Sequence, residues 1–249
     1  MDHRPTLLVE DLHANYGTSH VLQGVDLAVS GAGVALVGRN GMGKTTLVRT
    51  IMGLVPARSG RVTFKGRDIT GRRPHEVAGL GIGYVPQGRR LFPSLTVTEH
   101  LVLAGRLGNG AGWDVRRVFA MFPRLADRAG SSGTALSGGE QQMLAIARAL
   151  VTNPELLIMD EPSEGLAPVV LDQLISAYRS LVDSGVSFLL VEQNLRTAVA
   201  FADELHVMVA GRIVDKVNGE RLMKDQALRE TYLGVSTDRA GARAKPGAN

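Results

Sequence analysis

Cysteine is absent from the 249 residues, so neither a disulfide framework nor a thiolate metal site is available. No stretch approaches the roughly 18 consecutive apolar residues that a membrane-spanning helix requires. The opening M-D-H-R-P-T lacks the apolar core of a secretory leader. Together these absences fit a cytosolic protein. Strong charge of one sign is missing too. The 28 Lys and Arg against 24 Asp and Glu leave +4, too small and too scattered an excess to argue for nucleic acid. No repeat recurs at a period of roughly 20 to 50 residues, which excludes solenoids and propellers. Large apolar residues are also missing from D-R-A-G-A-R-A-K-P-G-A-N (238–249). Residues 235–249 are therefore expected to be a disordered, solvated tail, with a nucleic-acid arm as the alternative reading of the same charges.

What is present is apolar surface to bury. Hydrophobic residues make up 44% of the chain, enough for one large domain or two small lobes. They gather in short runs. V-A-L-V (34–37) leads into Gly38, I-G-Y-V (82–85) leads through Pro86 to Gln87, and L-L-I-M (156–159) leads into Asp160 and Glu161. V-S-F-L-L-V (186–191) stops at Glu192, Gln193 and Asn194, and L-H-V-M-V-A (205–210) turns at Gly211 into R-I-V as a hairpin does. Helical patterns lie between them, such as T-L-V-R-T-I-M-G with Leu47, Val48 and Ile51 on one face and Gly53 as a stop. The alternation predicts an α/β fold with a mostly parallel sheet covered on both faces. Such sheets bind ligands beyond the carboxyl ends of their strands. Four runs end in polar or glycine-rich clusters, so one shared site is expected. Residues 92–152, with G-N-G-A-G (108–112), G-S-S-G-T (130–134) and V-R-R-V-F-A-M-F, read instead as a helical subdomain inserted into a core made of 5–91 and 153–234.

Three motifs carry chemistry. G-R-N-G-M-G-K-T (38–45) fits G-x-x-x-x-G-K-[ST] between a strand and a helix. Gly41 and Gly43 let the backbone curl so that successive N–H groups converge on one anion. The helix starting near Lys44 adds its positive end, Lys44 a point charge for outer phosphates, and Thr45 a hydroxyl for Mg²⁺. L-L-I-M-D-E (156–161) delivers two adjacent carboxylates from a buried strand, which is costly unless a cation or reacting group meets them. Asp160 is placed to hold Mg²⁺, and Glu161 to orient the water that attacks a terminal phosphorus. With Pro162 next, the same pair could instead start a helix. L-S-G-G-E-Q-Q-M-L-A-I-A-R-A-L (136–150) opens with a capping box, Ser137 with Glu140. Met143, Leu144, Ala147, Leu150 and Val151 form its apolar face, and two glycines expose N–H groups as a second anion site.

The order of the phosphate loop, Gln87, L-S-G-G-E-Q-Q, L-L-I-M-D-E and a final strand-end residue resembles the ATP-binding cassette (ABC) ATPases over roughly residues 6 to 234. V-P-Q-G-R-R-L-F-P (85–93), D-E-P-S-E-G-L-A-P (160–168) and V-E-Q-N (191–194) resemble in particular the LivF-type ATPase subunits of branched-chain amino-acid importers, with the urea-importer counterparts close. The resemblance implies a P-loop NTPase core with an N-terminal antiparallel β part and an inserted helical subdomain. It implies ATP held by Tyr16 stacked on adenine and by Gly38, Arg39, Asn40, Gly41, Met42, Gly43, Lys44, Thr45 and Thr46. Mg²⁺ would be held by Thr45, Gln87 and Asp160. Ser137, Gly138, Gly139 and Glu140 would reach the nucleotide of a partner cassette. Arg89, Arg90 and Phe92 would lie where the helical lobe meets a membrane subunit, with simple core as the other reading of Phe92.

Two departures from the wider family stand out. Most ABC ATPases carry a histidine where this chain has Gln193. None of the six histidines (3, 13, 20, 75, 100, 206) lies at that strand end. The LivF-like group shares the glutamine, whose amide donates a hydrogen bond without a titrating charge, so Glu161 and Gln193 are the expected catalytic pair. Ala167 stands where many relatives have aspartate, another mark of the Liv-type group. The implied assembly is two cassettes sandwiching two Mg-ATP on the cytoplasmic face of the cell membrane. The second cassette is either another copy or, the favoured reading, a paralogous ATPase. Integral permease subunits complete it, and an external solute-binding protein is linked indirectly. Regulatory non-hydrolysing and soluble non-transport ABC proteins are the alternatives.

Overall fold

The computed structural model describes residues 5–108 and 112–233. The tail assigned to 235–249 and part of G-N-G-A-G lie outside the described residues. The chain opens with β1 (Leu7–Tyr16), β2 (Ser19–Val29) and β3 (Gly33–Val37), then α1 (Lys44–Ile51), β4 (Ala57–Phe64), β5 (Arg67–Asp68), α2 (Pro74–Gly79) and β6 (Ile82–Val85). Four helices follow: α3 (Val97–Gly105), α4 (Val115–Met121), α5 (Pro123–Asp127) and α6 (Gly138–Leu150). After them come β7 (Leu156–Asp160), α7 (Pro168–Asp183), β8 (Ser187–Glu192), α8 (Leu195–Phe201), β9 (Glu204–Val209), β10 (Arg212–Asn218), α9 (Gly219–Lys224) and α10 (Gln226–Leu233).

All five apolar runs are strands of one six-stranded sheet, ordered β10-β9-β3-β8-β7-β6. Its pairs are parallel except for the β9–β10 hairpin. The runs are continuous because both faces are covered, so neither set of alternating side chains meets water. Leu36, Ile158 and Leu189 pack toward α1 (Leu47, Val48, Ile51) and the second sheet. Their neighbours Ala35, Val37, Leu157, Met159 and Leu190 pack toward the other face with Leu144, Ile146 and Leu174. At roughly 1.5–3 kcal/mol per fully buried large aliphatic side chain, these two layers are the main force holding the phosphate-loop strand in place. The second sheet, ordered β2-β1-β4-β5, is antiparallel, as the resemblance implied.

The helix expected after the phosphate loop ends at Ile51, and Gly53 takes φ +70° just beyond it. A Cβ on Gly53 would lie 2.1 Å from the carbonyl oxygen of Arg72, so glycine is required there both for its backbone angle and for space. The order of strands brings the ends of β3, β8 and β7 side by side. Val37 pairs with Glu192, and Val191 pairs with Asp160. The polar residues that follow these strands are therefore neighbours.

Candidate functional site

The loop from Gly38 to Gly43 leaves β3 and enters α1. Gly41 and Gly43 hold φ of +80° and +103°, and Gly43 is the N-cap of α1 without any side-chain cap. The first N–H groups of α1 thus have no side chain closing them off, and they carry the positive end of the helix. Arg39, Asn40 and Gly41 are exposed, Met42 and Thr45 half-buried, and Lys44 and Thr46 buried. The hairpin between β9 and β10 supports this loop from behind. Gly211 donates to the carbonyl of Met42 at 2.9 Å, and a Cβ at Gly38 would lie 2.5 Å from the carbonyl oxygen of Met208.

Lys44 is only 4% exposed. Its ammonium donates to the carbonyls of Gly38 and Arg39 at 2.8 and 3.2 Å and stands 3.2 Å from Oε1 of Glu161. The Thr45 hydroxyl donates to Oδ1 of Asp160 at 3.1 Å, while Oδ2 of Asp160 is buried with no partner. Burial pushes the Asp160 carboxyl up to about 6, the charge of Glu161 adding to the rise and Thr45 opposing it. Gln87, after β6, donates through Nε2 to Glu161 at 3.1 Å and to Glu164 at 2.9 Å. Side chains from the ends of β3, β6 and β7 thus form one cluster of Lys44, Thr45, Gln87, Asp160 and Glu161. The helix-start reading of Asp160 and Glu161 fails, because residues 162–165 are a turn and α7 begins at Pro168 with Ala167 as its N-cap.

The three polar residues ending β8 divide into separate tasks. Gln193 is exposed just beyond the end of β8. Asn194 caps α8, accepting from the N–H groups of Arg196 and Thr197. Glu192 is 2% exposed and takes the N–H groups of Ser163, Gln193 and Asn194. Sequence reading passed over Glu192. The available signal was a lone acid ending a strand whose other residues are almost all apolar.

Among the described residues, two predicted groups share no hydrogen bond or ion pair with this cluster. Tyr16 ends β1, is 46% exposed, and lines a cavity of ≈ 390 Å³ with Arg49, Leu54, Val55, Tyr84, Pro86 and Arg90. Hydrogen bonding to Tyr16 raises the pKa of the Arg49 guanidinium. Ser137 to Glu140 open α6 with the expected capping box, Ser137 N–H to Glu140 at 2.8 Å and Glu140 N–H to the Ser137 hydroxyl at 3.4 Å. Among the described residues, no hydrogen bond or ion pair joins this segment to residues 38–46 of the same chain.

The loop after Gln87 is fastened to α6 instead. Arg89 and Arg90 both hold positive φ, +61° and +47°. Their carbonyls accept from Arg148 at 3.4 and 2.9 Å, and Arg89 donates to Gln141 at 3.2 Å. Sequence reading also missed Arg148, since an arginine on a helix carries no pattern of its own. Phe92 is 52% exposed, which removes its reading as core.

The family model described as "ABC transporter" matches residues 22–164. The high-affinity branched-chain amino acid transport ATP-binding protein BraG of Pseudomonas aeruginosa is 40% identical over 222 residues, 88% of this chain and 95% of that protein. The probable branched-chain amino acid transport ATP-binding protein LivF of Archaeoglobus fulgidus is 35% identical over 90% of this chain and 97% of its own length. Lipopolysaccharide export protein LptB of Escherichia coli is 31% identical over 92% and 97%. Among solved structures, the ADP conformation of MJ1267, an ATP-binding cassette of an ABC transporter, superposes with a TM-score of 0.77 at 29% identity, covering 93% of this chain and 99% of that one.

Proposed function

The chain belongs to the ABC transporter family, and from that membership we propose that it is the ATP-hydrolysing subunit of an importer for branched-chain or other hydrophobic amino acids. The observation that carries the reading is the single buried cluster in which Lys44 meets Glu161 and Thr45 meets Asp160. A cation, the positive end of a helix and a carboxylate open to a water are what phosphoryl transfer to water requires. Most of the catalysis is positioning and charge stabilisation. Lys44 and the first N–H groups of α1 bind the phosphates. Glu161 orients the attacking water and takes its proton. Gln87, already bonded to Glu161, adjusts that carboxylate, and the Gln193 amide donates to a phosphate oxygen.

Mg²⁺ fits the residues present. Thr45 and Asp160 are hard oxygen donors of the kind the ion takes, and the unpartnered buried Oδ2 of Asp160 has lone pairs to give. Thr45, Asp160 and Gln87 would hold it. When bound, it would supply positive charge to stabilise the phosphate oxygens during hydrolysis.

The capped, glycine-rich start of α6 serves a second cassette, a paralogous ATPase or another copy. Among the described residues it makes no hydrogen bond or ion pair to residues 38–46 of its own chain, which supports that reading. Among the described residues no helix is long and apolar enough to cross a membrane. Membership of the ABC transporter family supports permease subunits as the membrane part, with this chain on their cytoplasmic face. An external solute-binding protein delivers the cargo. The exposed Phe92, at the loop fastened to α6, supports docking there. The names of BraG and LivF support the amino-acid cargo. Deleting the gene and measuring uptake of labelled leucine and of labelled urea tests the proposal. Lost leucine uptake is expected, and loss of urea uptake alone would reassign the cargo.

A further inference from the structure

Glu192 is the last residue of β8, between the strand that carries the phosphate loop and the strand that carries Asp160. A carboxylate has about four lone-pair sites and no proton to donate, so it can gather several N–H groups at once. Here Oε1 accepts from the N–H of Ser163 at 3.1 Å, and Oε2 from those of Gln193 and Asn194 at 3.2 and 3.4 Å. Ser163 follows Glu161 by two residues, and the N–H of Glu161 itself donates to the carbonyl of Val191 at 2.8 Å. The turn bearing Glu161 is therefore tied to the end of β8 at two successive residues.

Glu161 holds φ of +50°, a left-handed backbone that is strained for a side chain of its kind and persists only where its surroundings hold it. The ties at Val191 and Glu192 are such surroundings. Glu192 is an expensive way to make them. Burial pushes its carboxyl up, and the nearby Glu161 charge adds to the rise, against the bonds from the N–H groups. A valine there would finish an otherwise apolar strand without burying a charge.

We propose that Glu192 is a positioning residue for ATP hydrolysis, fastening the turn that carries Glu161 to the loop that carries Gln193 so that both keep one placement toward the terminal phosphate. The inference rests on the ATPase reading above. Glu192 acts through Ser163, Gln193 and Asn194 and does not touch the nucleotide. In Glu192→Gln the side chain keeps its shape, but its NH₂ must face an N–H, so one of the two loops loses its acceptor.

The test is steady-state ATP hydrolysis by the full chain and by Glu192→Gln. The expected result is kcat lowered tenfold or more, with KM for ATP within threefold and a melting temperature close to the parent's. A kcat within twofold of the parent, or kcat and KM worsening together, would overturn it. Hydrogen exchange on the unmutated chain decides the matter even if the variant does not fold. The amides of Ser163 and Asn194 are expected to exchange slowly although both lie outside helices and strands, and exchange at the rate of open loop amides overturns the proposal. A parent that hydrolyses no ATP while showing slow exchange at both amides faults the ATPase reading and leaves the fastening in place.

Discussion

The ammonium of Lys44 and the carboxylate of Glu161 form an ion pair of 3.2 Å, with the two side chains 4% and 11% exposed. Lys44 opens α1 and Glu161 follows β7, and each is the charge that the other's burial requires. Removing one partner of such a pair leaves a buried charge uncompensated, at roughly 3–5 kcal/mol. On the proposed reading, phosphate oxygens would compete with Glu161 for the same ammonium.

Glu161→Gln keeps a polar side chain beside Lys44 but removes the proposed base. ATP binding is expected to persist while turnover falls by about a hundredfold or more, and the nucleotide-bound pair of cassettes accumulates on size-exclusion chromatography. Lys44→Ala is expected to abolish tight ATP binding, measured by titration calorimetry. Unchanged turnover in the first variant would remove Glu161 as the base.

Gln193 is exposed just past the end of β8. Gln193→His should leave the ATPase rate within about tenfold of the parent, or roughly 1.4 kcal/mol in barrier. A thousandfold loss in the same assay would show that this position does something other than donate a hydrogen bond.

Asp160 is buried with one oxygen unpartnered and its carboxyl raised from 3.8 to about 6. That shift corresponds to roughly 3 kcal/mol disfavouring the charged form in the metal-free protein. Asp160→Asn keeps an acceptor for Thr45 and removes the charge. Its melting temperature without nucleotide should rise by several degrees, about 2–4 °C per kcal/mol for a chain of this size, while Mg²⁺-dependent hydrolysis is lost. A lower melting temperature at neutral pH would contradict this balance.

His100 is buried and its Nε2 accepts from the N–H of Phe92 at 2.9 Å. Burial lowers its pKa below the ordinary 6.5. In that window the unfolded chain binds more protons than the folded one, so this group's stabilisation is complete above about pH 6.5 and declines as pH falls toward the folded value. Protonation also turns the acceptor into a donor facing another donor. The raised carboxyls of Asp160 and Glu192 act in the opposite direction, so the comparison must be made against a variant. Melting temperature should fall more steeply between pH 6.5 and 5 in the parent than in His100→Gln, and parallel curves would exclude the effect.

The phosphate loop was legible because Gly41, Gly43 and Lys44 act mainly through their own backbone angles and the helix they start. The five strands were legible because burial on both faces makes each a continuous apolar run. The capping box of Ser137 and Glu140 was legible for the same local reason. Glu192 and Arg148 were not. Their partners, Ser163 and the carbonyls of Arg89 and Arg90, lie tens of residues away and are backbone atoms, which leave no mark in side-chain order. The polar ending of β8 was read as one cluster, although its three residues face three ways.

Local chemistry, then, was enough to mark a glycine-rich loop between a strand and a helix, which strands flank it, and which acids stand near. Those properties depend on periodicity and on the conformational freedom of single residues. Which acid faces Lys44, which one keeps an oxygen without a hydrogen-bond partner, and which one disappears into the sheet as a tie depended on strand order. Only the pairing of β8 between β3 and β7 puts Glu192, Asp160 and Glu161 side by side, and in that low-dielectric setting a neighbour a few ångströms away determines what each carboxylate can do.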